Sequence, residues 1–110
     1  MRSLILDHVG EDMSVVDSDG QVVGKVALVR YGEGNAVPNF PIVMDILRDA
    51  LYNTREFRSD EYLRFYQEGF VRITRSVLAP DLFVFPFQIS EIQDDGTVVL
   101  NTTKEELIEG

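Results

Sequence analysis

The stretch MSVVDSDGQVVGKVALVRY, residues 13–31, decides the fold. Two Val-rich runs flank Ser18-Asp19-Gly20, and Asp-Gly between apolar runs is the strongest short hairpin signal, because a tight turn needs a positive φ that Gly adopts without steric cost. Residues 13–17 and 21–31 are therefore expected to pair as antiparallel strands. In the second strand Val22, Val26 and Leu28 fall on one face and Val23, Ala27, Val29 and Tyr31 on the other, so both faces are apolar. Such a strand needs cover on both sides, from a small barrel capped by a helix or from a dimer interface.

Downstream of the hairpin, Gly32-Glu33-Gly34-Asn35 followed by Pro38 and Pro41 reads as a loop. The periodicity then changes: Ile42, Val43, Ile46, Leu47, Ala50 and Leu51 recur at helical spacing opposite Asp45, Arg48 and Asp49, predicting a helix over about 42–52. Ser59 is placed to cap a second short helix, with Asp60 and Glu61 at its positive end and Gly69 to stop it. Val71 and Ile73 alternate with Arg72 and Thr74, giving a half-buried strand at about 69–77. Ala79-Pro80-Asp81 turns the chain into an aromatic and β-branched run at 82–87, which Pro86 confines to a short strand because it donates no ladder hydrogen bond. Residues 89–92 and 97–100 flank Asp94-Asp95-Gly96 as a second hairpin, with Asp95 and Gly96 in its turn. Thr103-Lys104-Glu105-Glu106 matches a capping box opening a short carboxy-terminal helix, whose Leu107 and Ile108 dock on the core.

The chain has 110 residues, of which 45% are apolar, enough for one domain with a single modest core. No stretch approaches the ~20 apolar residues that cross a bilayer, and residues 1–9 are too short, and too polar at Asp7 and His8, to read as a signal peptide. A cytoplasmic protein without membrane insertion is expected. With no cysteine there are no disulfides, thiolate zinc sites or Cys nucleophiles, so packing or association must stabilise the domain. The net charge of −9 repels polyphosphate and argues against nucleic acid as a partner. It is unevenly spread: residues 1–47 carry −4, residues 48–75, with six arginines, +1, and residues 76–110 −6. That distribution lets the middle of the chain pair with its ends.

These pieces together resemble the PRC-barrel family. One half of the resemblance is Gly10-x-x-Met-x-Val-Val-Asp-x-Asp-Gly-x-x-Val-Gly-Lys-Val (10–26), similar to the family's opening hairpin, with Asp19 and Gly20 in the turn and Gly24 where the strand bends. The other is 83–92 with 94–100 and 103–107, which resembles the family's aromatic-rich strand, terminal hairpin and closing helix. About half the chain is covered. Pro86 falls about one position later than the family pattern, and residues 32–68 form a longer helical insertion, similar to that of small stand-alone bacterial members. The resemblance implies a mainly β fold: a partly open barrel of about six strands spanning 1–110, with helices at about 42–67. It also implies a module that mediates contacts and has no catalytic residues or cofactor.

Candidate chemistry is sparse. His8 is the only histidine, and a strand would turn it away from Asp7, so an acid–base pair is not formed by adjacency. Asp17-Ser18-Asp19-Gly20 has two carboxylates before a Gly but lacks the third acid and distal Glu of a calcium loop, and its hairpin context accounts for it. Arg55, Arg58, Arg64, Arg72 and Arg75 form the cluster of greatest interest. Arg binds carboxylates and phosphates through two parallel hydrogen bonds, so an anion or an acidic partner can dock there. The alternative is that these arginines neutralise Glu56, Asp60, Glu61 and Glu68, the common fate of surface charges. Tyr62, Phe65, Tyr66, Phe70, Phe83, Phe85 and Phe87 exceed what one small barrel accommodates, and an exposed remainder is expected to form a homodimer face or a groove for a protein partner. The sequence thus points to a non-enzymatic, self-associating interaction module, with a small-ligand or anion sensor built on residues 55–75 as the alternative.

Overall fold

The computed structural model describes residues 4–35 and 38–110. Residues 1–3 of the amino-terminal segment, and residues 36 and 37 of the loop expected before Pro38, lie outside the described residues. Strands β1 (Ser14–Val16), β2 (Val22–Tyr31), β3 (Gly69–Thr74), β4 (Leu82–Val84), β5 (Ile89–Ile92), β6 (Val98–Leu100) and β7 (Ile108–Glu109) form one sheet in the order β5-β6-β1-β2-β3-β4-β7. Every neighbouring pair is antiparallel except β1 and β6. With β5 and β7 both at edges the sheet is a half-barrel, mainly β, with helices α1 (Phe40–Leu47) and α2 (Ser59–Glu68) between β2 and β3.

The long two-faced strand finds its cover within the chain. On the concave side Val23, Val26, Val71, Ile73, Leu82 and Val84 pack with Val15, Val98 and Leu100. On the convex side Leu28, Phe70, Phe83 and Phe85 pack beneath α1 and α2, against Val43, Leu47, Phe57, Phe65 and Tyr66. Two register shifts redistribute β2 from the expected alternation: one opposite Val23 in the pairing with β1, one at Ala27 in the pairing with β3. Each extra residue flips the side chains that follow it. Val23, Val26 and Val29 therefore share the concave core, Leu28 joins the convex one, and Val22 is left 73% exposed.

Close approach of backbone requires glycine at Gly24 and at Gly69. A Cβ on Gly24 would lie 2.1 Å from the Thr74 carbonyl oxygen. Gly69, at φ 76°, closes α2 with its N–H on the Phe65 carbonyl, and a Cβ there would lie 2.4 Å from the Gly32 nitrogen. The sharp reversal from helix into β3 depends on it.

Several boundaries differ from expectation. α1 begins at Phe40, taking in Pro41, whose missing N–H is harmless in a first turn, and ends at Leu47. The cap of α2 is Arg58 rather than Ser59; the Arg58 N–H donates to Glu61 Oε1 at 2.9 Å. The capping-box signal at Thr103 yields only a single 3-10 turn, Lys104–Glu106, with no side-chain cap. The chain then forms β7 instead of a helix, because Phe83 and Leu82 offer it backbone partners at the edge of β4. Pro86 opens a 3-10 turn immediately after β4, clear of the ladder. Among the described residues no helix is long and apolar enough to cross a membrane.

Candidate interaction site

The five arginines singled out in the sequence do not form one patch. Arg72, expected on the exposed side of a half-buried strand, is only 3% exposed because the convex face of β3 lies beneath the helical segment. Its Nε donates to Asp81 Oδ2 at 2.7 Å and its Nη1 to the Ala50 carbonyl at 3.1 Å. The guanidinium carbon lies 4.3 Å from the centre of the Tyr52 ring, so the group is fixed by stacking as well as by hydrogen bonds. Arg55 and Arg75 converge on the same end of the molecule. Arg55 Nε donates to the Glu109 carbonyl at 2.8 Å, and its guanidinium lies over Phe57. Arg75 Nε donates to the Pro80 carbonyl at 2.8 Å, with Nη2 3.1 Å from Glu109 Oε2.

Arg58 and Arg64 lie elsewhere, around α2. Arg58 pairs with Asp60 and Glu61 while remaining 77% exposed, and Arg64 lies over the rings of Phe85 and Phe87. The Arg-rich segment therefore does pair with an acidic end of the chain, through Asp81 and Glu109, and Asp60 and Glu61 serve as expected. Glu56 supplies its carbonyl to Arg55 rather than its carboxylate. Arg55 and Arg72 line a cleft of about 490 Å³, walled also by Tyr52, Pro80, Asp81 and Glu109 among others, and Arg75 braces two of those wall residues, Pro80 and Glu109.

The aromatic surplus is absorbed within the chain. Phe65, Tyr66, Phe70, Phe83 and Phe85 are buried in the convex core together with Phe57, which lies in a segment read as connection. Only Phe87, at 55%, and the half-buried Tyr62 remain of the seven. The most exposed large apolar side chains among the described residues lie elsewhere: Val77 and Leu78, at the tip of the β3–β4 connection, are 101% and 94% exposed. Val77 falls within the strand expected at about 69–77, but β3 ends at Thr74 and leaves both residues in the turn before Ala79-Pro80. The tip is braced at its base, where Ala79 N–H donates to the Ser76 carbonyl at 3.1 Å, Arg75 holds the Pro80 carbonyl and Arg72 holds Asp81.

The turn residues act as scaffolding. Gly20, at φ 78°, and Gly96, at φ 89°, make the two hairpin turns, and Asp95 Oδ1 accepts the Thr97 N–H at 2.9 Å. Asp17, 2% exposed, uses Oδ1 for the amides of Asp19 and Gln21 and Oδ2 for that of Lys104. Burial alone raises its pKa; the amides of Gln21, Lys104 and Asp19, with the Lys104 ammonium, more than reverse this and hold it below the ordinary 3.8. Its oxygens thus tie the first hairpin to the segment before β7 instead of facing a cation. His8 lies in a 3-10 turn, Leu4–His8, rather than a strand, and is exposed; the neighbouring Asp7 accepts the Tyr31 hydroxyl at 2.6 Å. Among the described residues no three His, Cys, Asp or Glu side chains are grouped to hold a metal. Comparison with family models, with curated proteins and with solved structures finds no match to this chain.

Proposed function

We propose that this protein is a non-enzymatic, PRC-barrel-like interaction module that associates with a second copy of itself through the β3–β4 tip. The half-barrel with helices between its second and third strands is compatible with a partly open barrel carrying helices, the shape that the resemblance implies. The observation that carries the reading is the braced presentation of Val77 and Leu78. Single exposed apolar residues are ordinary, but two adjacent ones, fully exposed on a loop whose base is held by two arginines, form a pre-organised knob. Each copy also carries a receptor of matching chemistry, an apolar groove of about 320 Å³ between α1 and α2 lined by Pro38, Phe40, Val43, Ser59 and Leu63. Of these, Phe40 is 41% exposed.

A knob and groove of this size cover less than the ~1,200–2,000 Å² of a tight interface, so the expected affinity is micromolar. Two chains of net charge −9 repel one another, and added salt should screen that repulsion and strengthen the association. Light scattering on eluting protein tests this. The weight-average mass should rise above the 12.5 kDa protomer with concentration, more steeply at about 0.3 M salt than at about 0.02 M. A constant protomer mass into the high micromolar range refutes the proposal.

A further inference from the structure

The cleft over Arg72 holds unused hydrogen-bonding groups of both signs. Nε and Nη1 of Arg72 are engaged by Asp81 and Ala50, whereas Nη2 donates to no group among the described residues. No fully buried side-chain nitrogen or oxygen among them lacks a partner, so Nη2 keeps some exposure even though Arg72 as a whole is 3% exposed, and Arg72 lines the cleft. On the same walls Asp81 Oδ1 and Glu109 Oε1 accept no hydrogen bond from the described residues, since Arg72 and Arg75 use only the other oxygen of each. A simple anion in this space meets two carboxylates, and a simple cation meets Arg55 and Arg72. A small molecule carrying both charges satisfies both sets. Tyr52, Ala79 and Pro80 supply carbon surface on the remaining wall.

We infer that this cleft binds a free α-amino acid with an apolar side chain, a function separate from self-association. The carboxylate accepts from Arg72 Nη2, the ammonium donates to Asp81 and Glu109, and the side chain lies against Tyr52, Ala79 and Pro80. Arg72 is suited to the task because its plane is locked by Tyr52 and Asp81 before any ligand arrives.

The test is amide-resonance titration of the full chain with L-leucine, acetate and methylammonium in parallel. Leucine should shift the Asn53, Arg55, Ala79 and Asp81 amides saturably, and each half-molecule should bind at least about tenfold more weakly, the worth of one charge-assisted hydrogen bond. Glu109→Gln, at a side chain 60% exposed, should leave the fold intact and weaken leucine binding about tenfold. Leucine shifts no larger than those of acetate and methylammonium combined, shifts centred on Arg58 and Arg64, or undiminished leucine binding by folded Glu109→Gln would each overturn the assignment.

Discussion

Replacing Phe65 with Ala removes the ring on which the convex core is centred. Phe65 is 0% exposed, and its ring centre lies 4.9–5.6 Å from those of Phe57, Phe70, Phe83 and Phe85. A buried Phe→Ala change costs about 3–5 kcal/mol through lost transfer energy and the cavity left behind. The upper half of that range applies here. Each ring contact adds about 0.5–1.5 kcal/mol beyond area, and the partners come from the segment before α2, from β3, and from β4 and the residue after it, which cannot all collapse inward. With a total stability of about 5–15 kcal/mol and an m-value near 2 kcal/mol/M, the urea midpoint should fall by about 2 M. Far-UV circular dichroism is the suitable probe, since the chain has no tryptophan. Because β3 and β4 contribute side chains to both cores, helix and sheet signals should be lost in one transition. Phe87→Ala, at a side chain 55% exposed, should cost less than about 1 kcal/mol. A Phe65→Ala loss below about 1 kcal/mol, or separate helix and sheet transitions, would refute the two-core description.

Gly69→Ala and Gly20→Ala both place Ala at positive φ, but they should differ widely. At Gly20 nothing lies within 4 Å of the new Cβ, so only the backbone cost of about 1–2 kcal/mol applies; at Gly69 the Cβ meets Gly32 and Arg30 backbone, and chemical denaturation should show at least about twice that loss. Asp17→Asn should lower stability at neutral pH, with the deficit shrinking on acidification. The folded Asp17 pKa lies below the unfolded value, so the carboxylate's contribution is complete above about 3.8 and is lost as pH falls through the folded value. Urea midpoints of both proteins across pH 2–7 measure this; a gap that widens in acid would contradict it.

Much of the half-barrel was legible because its signals are local. The Asp-Gly turns, the two-faced apolar pattern of β2, the helical spacing after Pro41 and the stop at Gly69 each depend on neighbours a few residues away. What escaped is decided at long range. β7 exists because β4 has a free edge, and no feature of Leu107–Glu109 outweighs the capping-box signal just before it. The parallel pairing of Val15 and Val16 with Val98 and Val99 joins residues over eighty apart, and a β-bulge such as that at Ala27 shows no change in composition. Arg72 was misplaced for a related reason. Strand alternation reports which side chains oppose each other, not whether a helix covers the second face. Once the helices cover that face, an arginine on it must be buried and paired, and the cluster read from sequence divides: Arg55 and Arg72 line a cleft, Arg75 braces its wall, and Arg58 and Arg64 lie apart.

The most direct test of the proposed contact surface is sedimentation equilibrium of the wild type beside Val77→Ser/Leu78→Ser. Both side chains are fully exposed, so the double variant should retain the wild-type unfolding free energy to within about 0.5 kcal/mol. Losing two apolar anchors of about 1.5 kcal/mol or more each should raise the self-dissociation constant about a hundredfold or more. A folded double variant that associates as strongly as the wild type would contradict the account.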